Sequence, residues 1–425
     1  MGETSYKKLK TISVIGIGRV GLPLALVLAD EGFTVYGIGR DEKKIEGISN
    51  GKMPFLEKGA PTLLKKYINK SLFATIDYSC IKKSDIIILT LGTPIDENMN
   101  PVLEQIEIAL LGCLPYFKNN QLLILRSTVS PRTTNYVKQF IQQNSRFEIG
   151  KNFYLAFCPE RISEGNSLEE IKTIPQIIGS ADKKSSKIAE EFFKKIGVET
   201  MVTDDVTAEL GKLFTNMYRY INFAIANEFM VLAQNYHRDI YEIVNLVNHN
   251  YSRGGISVPG LTAGPCLFKD GFFLISDLPY VDLISTSWKI NEAMPLFLVR
   301  LIRERMKLQG KKTVLLGLAF KAEIDDIRES LSFKVRKALL RERVDLILHD
   351  PFIKEYNYGP IEPDVYKALE NADLIFIATN HKEYRKLDIK KVKQIAKKNC
   401  MVCDVWNVFG TNKILFKLNK MNDEL

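Results

Sequence analysis

No stretch of eighteen consecutive apolar residues occurs in this 425-residue chain, so a membrane-spanning helix is not expected. The opening MGETSYKKLKTISVIG enters a strand pattern at once, without the long apolar region and cleavage site of a secretion signal. Six cysteines are too few for a disulfide framework in a chain of this length, and these absences together point to a cytoplasmic setting. Cys400 and Cys403 form a C-x-x-C, but Met401, Val402 and Val405 around them read as a buried strand. His237, His249, His349 and His381 have no metal-ligand spacing, and no metal is expected. Fifty-nine Lys and Arg against fifty Asp and Glu leave a formal charge of +9, which favours anionic ligands weakly. The lysines are scattered and no basic tract alternates with aromatics, so nucleic acid is not an expected partner.

What is present is an ordinary globular composition, 46% apolar and 26% charged, long enough for two or three domains. Thr11 to Ile15 reads as a strand, followed by Gly16-Ile17-Gly18-Arg19-Val20-Gly21 and then LPLALVLADEG, a helix closed by Gly32. Strand, G-x-G-x-x-G and helix in that order form a dinucleotide fingerprint. The glycines allow a tight turn and close approach to a pyrophosphate, and the helix N-terminus supplies a positive end. Pro23 fits the first helical turn. The second strand, Thr34 to Ile38, ends in Gly39-Arg40, where a carboxylate for a ribose 2′-hydroxyl is usual. Arg40 suits a 2′-phosphate instead, so NADP stands beside NAD; Asp41 is placed to start the next helix.

Further strand–helix units follow. Asp85 to Thr90 leads into Leu91-Gly92-Thr93-Pro94, and Leu122 to Leu125 leads into Arg126-Ser127-Thr128. Thr93 and Thr128 sit where ligands gather at the edge of a parallel sheet; capping of the following turns is the alternative. Tyr154 to Phe157 runs into Cys158-Pro159-Glu160-Arg161, which puts a carboxylate and a guanidinium at a strand end, as a site or as a surface ion pair. From about Thr207 to Tyr236 the pattern is one long helix with Glu209, Lys212 and Asn216 on a common face. A Lys212–Glu209 pair would be the plain reading of that face. Asn222, Asn227 and Glu228 carry polar content further along, where burial requires that it be satisfied.

The last third repeats the strand–helix rhythm: Lys312 to Leu318, Val344 to Leu348, Ala372 to Ile377 and Met401 to Val405. The expectation is a second doubly wound sheet. Its first turn carries Phe320-Lys321-Ala322-Glu323-Ile324-Asp325-Asp326-Ile327-Arg328-Glu329-Ser330, in which Lys321 and Arg328 suit a phosphate-bearing ligand and Asp326 could orient Arg328. Between the two halves, Asn248 to Gly255 forms a polar loop ahead of Gly264-Pro265-Cys266-Leu267-Phe268-Lys269-Asp270. Taken alone, Cys266 would more often be a small packed hydrophobe than a nucleophile.

The motifs GIGRVG (Gly16 to Gly21), LGTP (Leu91 to Pro94), STV (Ser127 to Val129), PER (Pro159 to Arg161), ELGKLFTN (Glu209 to Asn216), AGPCLFKD (Ala263 to Asp270) and FKAEIDDIRES (Phe320 to Ser330) span nearly the whole chain. In that order they resemble the UDP-glucose/GDP-mannose dehydrogenase family of nucleotide-sugar 6-dehydrogenases. The resemblance implies an α/β fold of two doubly wound Rossmann-like domains joined by a central helical region with a long dimerising helix. The boundaries drawn on that basis are 1–204 for a dinucleotide domain, 205–305 for a helical dimerisation region and 306–425 for a UDP-sugar domain.

By the same resemblance Cys266 is the nucleophile, and Lys212, Asn216 and Asp270 are its polar partners. Glu160 assists hydrolysis and Thr128 lies near the reacting centre. Gly16, Gly18, Arg19, Val20, Gly21, Arg40, Thr93, Thr128 and Arg328 are expected at the cofactor. Glu160, Arg161, Lys212, Asn216, Lys321 and Arg328 are expected at the substrate, with Arg253 reaching a neighbouring subunit's substrate. The implied partners are a UDP-sugar and further copies of the chain, as a homodimer or higher homo-oligomer; NAD is the family's cofactor.

PER and FAIANEF resemble enzymes acting on UDP-N-acetylhexosamines, UDP-N-acetylmannosamine first, with UDP-N-acetylglucosamine and UDP-glucose as alternatives. A hydroxyacid or 6-phosphogluconate-type dehydrogenase and a non-catalytic sugar-nucleotide binder are more remote. Two departures stand out: Gly39-Arg40 in place of an acidic strand end, and AGPC in place of a double-glycine approach to the cysteine.

Overall fold

The computed structural model describes residues 9–421 except Asp277, Pro279, Tyr356 and Tyr358. The chain divides into two compact units, one ending at Thr215 and reclaiming Phe272–Leu278, the other taking Asn216–Gly271 and the chain from Pro279 onward.

The first unit holds β1 (Thr11–Ile15), β2 (Thr34–Ile38), β3 (Leu72–Thr75), β4 (Ile86–Leu89), β5 (Leu122–Leu125), β6 (Tyr154–Phe157), β7 (Gln176–Gly179) and β8 (Thr200–Thr203). They form one sheet in the order β3-β2-β1-β4-β5-β6-β7-β8, in which β6 and β7 pair antiparallel and the other neighbours pair parallel. The Ile-Ile-Ile-Leu of β4 and Leu-Leu-Ile-Leu of β5 are buried along their whole length. Helices cover both faces of a parallel sheet, so its strands read as unbroken apolar runs. Each such side chain stabilises the fold by roughly 1.5–3 kcal/mol on burial.

The β4 pattern extends one residue beyond the strand at each end, and side chains account for both. Asp85 accepts hydrogen bonds from the amides of Lys10 and Thr11 at 2.9 and 3.1 Å, and the Thr90 hydroxyl donates to the carbonyls of Ile15 and Gly16. The chain steps outward from β1 to β3 and then returns to the other side of β1 at β4. At such a switch point the loops leave towards opposite faces and open a crevice.

In the second unit β9 (Lys312–Leu316), β10 (Asp345–His349), β11 (Leu374–Ile377), β12 (Met401–Asp404) and β13 (Leu415–Lys417) are ordered β10-β9-β11-β12-β13. All neighbours pair parallel except β12 with β13. The three-residue β13 is too short to announce itself as an apolar run. Cys400 and Cys403 lie at and beside β12 with no exposed surface, and burial pushes both thiols up, Cys400 to about 12, as packed side chains. The long helix runs Asp205–Asn235, within two residues of the range expected at each end. Among the described residues no helix is long and apolar enough to cross a membrane, and no cluster of His, Cys, Asp and Glu could hold a metal ion.

Candidate active site

The glycine turn after β1 is shaped by what lies against it. A Cβ on Gly16 would sit 2.6 Å from the Thr90 carbonyl oxygen, and Gly16 has φ +98°. One on Gly21 would lie 2.3 Å from the Gly16 oxygen and 2.4 Å from the Thr90 hydroxyl. Gly18 differs: a Cβ there would meet only the Gly16 oxygen, at 3.9 Å, and would project into open space. The outer two glycines close the turn, while the middle one keeps backbone accessible to a ligand.

A cleft of about 340 Å³ opens beside this turn, walled by Ile38, Ile45, Ile108 and Ala109 and rimmed by Gly39, Arg40 and Asp41. Apolar walls for a base and exposed turn amides for phosphates fit a dinucleotide. Asp41 caps the helix Glu42–Ser49, accepting from the Lys44 amide at 3.1 Å. The Arg19 guanidinium lies over the Phe55 ring at 5.1 Å and 3.9 Å from Glu164.

The loops after β4 and β5 are stitched together. Thr93 donates to the Thr128 carbonyl at 2.6 Å, and Ser127 donates to the Leu91 carbonyl at 2.7 Å. The Thr93 hydroxyl therefore ties its own loop to the neighbouring one.

Glu160 lies beside buried Arg126, whose Nε donates to it at 2.7 Å and whose terminal nitrogen approaches to 2.5 Å. Arg126 also reaches Gln176 and the Cys158 carbonyl. The other Glu160 oxygen accepts from the amides of Arg161 and Ile162. Its partner is thus Arg126, a residue that sequence inspection passed over. The only signal was a charged residue ending an otherwise apolar strand. Arg161 directs its guanidinium to the Pro175 carbonyl.

The Lys212–Glu209 pair expected as the plain alternative does not form. Glu209 has no exposed surface and accepts from the Arg132 amide at 2.6 Å, the Thr134 amide at 2.7 Å and the Thr134 hydroxyl at 2.6 Å. It serves the opening turn of the helix Thr133–Asn144, where backbone donors otherwise lack partners. Burial pushes its carboxyl above the usual range, with the Thr134 and Arg132 bonds acting in opposition. Lys212, 8% exposed, has no carboxylate bonded to it among the described residues.

In the second unit Asp270 is wholly buried. Asn216 donates to one of its oxygens at 2.6 Å and Lys269 approaches the other at 2.9 Å. Cys266 is exposed and immediately precedes the short helix Leu267–Asp270; the Asp270 amide donates to its carbonyl at 3.0 Å.

Gly264 fixes the loop ahead of it. It has φ +105°, its amide donates to the Glu329 carbonyl at 3.2 Å, and a Cβ there would lie 2.5 Å from the Phe320 ring. Ala263 is only partly buried and packs against the second core, so its methyl has room. The departure from a double glycine therefore falls at the position that tolerates it.

Further along the long helix, Asn227 accepts from the Gly260 amide and donates to the Gly260 carbonyl and to Asn291. That polar group is structural and holds the chain on its way into the cysteine loop.

Arg328 grips buried Asp326, with Nε 3.0 Å from each oxygen and a terminal nitrogen at 2.5 Å, while more than half of its side chain stays exposed. The Phe320 amide donates to the Asp326 carbonyl at 3.0 Å, closing the turn that also carries half-buried Lys321. Arg253 lies exposed over the Tyr251 ring at 5.2 Å.

A doubly wound sheet with its glycine turn at the switch point, followed by a second Rossmann-like sheet, puts the chain in the class of dinucleotide-binding α/β proteins. Family models narrow this further. The chain belongs to the UDP-glucose/GDP-mannose dehydrogenase family: its NAD binding domain matches residues 10–197, its central domain 206–293 and its UDP binding domain 314–411. At family level the reaction is NAD(P)-dependent oxidation of a nucleotide sugar to the uronic acid.

Similar proteins include UDP-N-acetyl-D-mannosamine dehydrogenases from two archaea. That of Methanocaldococcus jannaschii is 32% identical over 408 residues, 94% of this chain and 93% of the relative. That of Methanococcus aeolicus is 30% identical over 422 residues, 97% and 94% of the two chains. Among solved structures, the UDP-D-ManNAc dehydrogenase of Pyrococcus horikoshii superposes with a TM-score of 0.84 at 30% identity, covering 91% of this chain and 93% of that one.

Proposed function

We propose that this protein oxidises the C6 alcohol of a UDP-N-acetylhexosamine, UDP-N-acetyl-D-mannosamine first, to the carboxylate in two steps through Cys266. The observation that carries the reading is the exposed Cys266 thiol set one turn ahead of the Asn216–Asp270–Lys269 group. The names of these similar relatives support the choice of sugar.

A nicotinamide cofactor held at the glycine turn of Gly16 to Gly21 would supply the hydride acceptor. Oxidation of the alcohol, with loss of its hydroxyl proton to a base or bound water, gives an aldehyde. The Cys266 sulfur adds to the aldehyde carbon as the carbonyl oxygen takes up a proton, and the thiohemiacetal becomes a thioester by losing that proton and a second hydride, for which a second oxidised cofactor would be the acceptor. Water then cleaves the C–S bond, releasing the acid and the thiol. A thiol suits both roles because even a modest thiolate fraction is strongly nucleophilic. Lys212 and the Asn216 amide serve as fixed donors for the oxyanion, and Glu160 and Asp270 assist hydrolysis. Lys321 and Arg328 hold the nucleotide phosphates, and Arg253 extends to a neighbouring copy's substrate. The three-region division at residues 204/205 and 305/306 belongs to the same reading.

Tyr218, Ile225, Phe229 and Leu232 recur at helical spacing and are exposed on the long helix. A homodimer buries that stripe, and light scattering of the purified protein measures it.

The deciding experiment is a panel of UDP-sugars followed by absorbance of reduced cofactor. Two equivalents per UDP-N-acetylmannosamine consumed is the expected result. One equivalent, or binding without reduction, would replace this reading with a simple alcohol dehydrogenase or a sugar-nucleotide binder.

A further inference from the structure

We infer that the adenosine end of the cofactor cleft is built for a 2′-phosphate, received by Arg40 with Lys44 beside it, so that the chain selects NADP over NAD. The inference rests on the dinucleotide reading of the first unit and deepens it.

Three features of the cleft's rim carry it. The first is the missing carboxylate. A ribose with a free 2′-hydroxyl is held by an acidic side chain at the end of the second strand, and β2 ends in Ile38 followed by Gly39. The space that a side chain at 39 would enter is filled, since a Cβ there would lie 2.7 Å from the Ile45 δ-methyl and 3.5 Å from Ile17. An apolar methyl therefore stands where an acceptor for the 2′-hydroxyl would be.

The second feature is the fate of the nearest acid. Asp41 also lines the cleft, but one of its oxygens accepts the Lys44 amide as the helix cap. It is the only carboxylate lining this cleft among the described residues, and its position is set by the helix.

The third is the pair of cations. Arg40 and Lys44 both line the cleft, four residues apart at the start of the helix Glu42–Ser49. Arg40 is exposed and has no ion-pair partner among the described residues, so its guanidinium is available to a ligand. A planar guanidinium matches two phosphate oxygens at once, whereas to a neutral hydroxyl it donates a single, weaker hydrogen bond that water supplies as well. The net charge of these three groups is positive, which suits a dianion and gains little from a hydroxyl.

Two probes isolate the contact, adenosine 2′,5′-bisphosphate and adenosine 5′-monophosphate, which differ only by the 2′-phosphate. Calorimetry on the full-length protein at low ionic strength should show the bisphosphate binding about 10- to 100-fold tighter, the range expected of charge-assisted hydrogen bonds. Added salt should narrow the gap. Arg40→Ala should reduce it to within about 3-fold through loss on the bisphosphate side, and Arg40→Lys should restore part of it as a point charge without the bidentate fit.

Equal or tighter binding of the monophosphate overturns the preference and leaves the oxidation reading standing. A gap that survives Arg40→Ala removes Arg40 from the site. If neither probe binds, the cofactor assignment of the cleft falls with it.

Discussion

Asn216 donates a 2.6 Å hydrogen bond to Asp270, a carboxylate with no exposed surface whose other oxygen lies 2.9 Å from the Lys269 ammonium. A buried charge held by two donors costs little while both are present and much when the set is broken. Replacing Asp270 by Ala removes the carboxylate that the buried Asn216 amide and the mostly buried Lys269 ammonium share, and the expected loss of stability is about 3–5 kcal/mol. Asn216→Ala leaves the Lys269 pair intact and should cost only about 1–3 kcal/mol. The two losses should not add, because they share one carboxylate. Urea denaturation of the two single variants and the double variant measures this. Two single losses within about 0.5 kcal/mol of zero would dissolve the network as a structural unit.

The exposed Cys266 leads to a kinetic expectation. In Cys266→Ser the first oxidation retains its chemistry, but the hydroxyl is a far weaker nucleophile than a thiolate. Net acid formation should therefore fall by at least about 100-fold, with cofactor affinity unchanged because Cys266 is not among the residues lining the dinucleotide cleft. Chromatographic assay of the uronic acid, alongside cofactor titration, separates the two. Undiminished acid formation would rule out the covalent route.

Much of this architecture is legible in the sequence, for identifiable reasons. The strands of both sheets that are buried on two faces appear as apolar runs, and the G-x-G-x-x-G turn is marked by Gly16 and Gly21, where a Cβ would clash with backbone. Asp41 as a helix start and Asp326 as the holder of Arg328 are local relations, within three residues in the chain. What escapes notice is long-range. Glu209 shares a helical face with Lys212, yet its partners are amides at Arg132 and Thr134, more than seventy residues earlier. Arg126 and Glu160 are separated by 34 positions. Helical periodicity tells which residues share a face and says nothing of what that face meets.

Asp350 and His381 show the same limit and carry a pH dependence. The Asp350 carboxylate accepts from the amides of Leu318, Ala319, Phe352 and Ile353, and His381 Nε2 lies 3.3 Å from it. The Glu323 amide donates to His381 Nδ1, so the ring presents an N–H on the side facing Asp350. Burial pushes the Asp350 carboxyl up, but His381 and the amides outweigh it and hold the group below the usual carboxylate range.

A carboxyl lowered in the folded state takes up its proton first in the unfolded chain as pH falls. Its stabilisation is full above the unfolded value of about 3.9 and is lost as pH drops through the folded value. The stability difference between wild type and Asp350→Asn should stay flat near neutrality and shrink below about pH 4. Denaturant melts at stepped pH check the sign, and a difference that grows on acidification would refute it.

The approach to the cysteine offers the most selective test, because two adjacent positions should respond oppositely in size. Gly264 has φ +105°, and a Cβ there would sit 2.5 Å from the Phe320 ring, with ring carbons rather than a flexible chain end in the way. Gly264→Ala therefore combines backbone strain with overpacking, a loss of roughly 2–5 kcal/mol. The same methyl would displace the turn bearing Lys321 and Arg328, since Gly264 is hydrogen bonded to Glu329 within that segment. Weaker binding of UDP should accompany the lost stability. Ala263 faces partly open space beside the second core, and Ala263→Gly should cost only about 0.4–1 kcal/mol, chiefly through the added freedom of the unfolded chain. Thermal melts and UDP titration of the two variants give both readouts. Equal effects at 263 and 264 would mean that the contact with Phe320 does not set the cysteine loop.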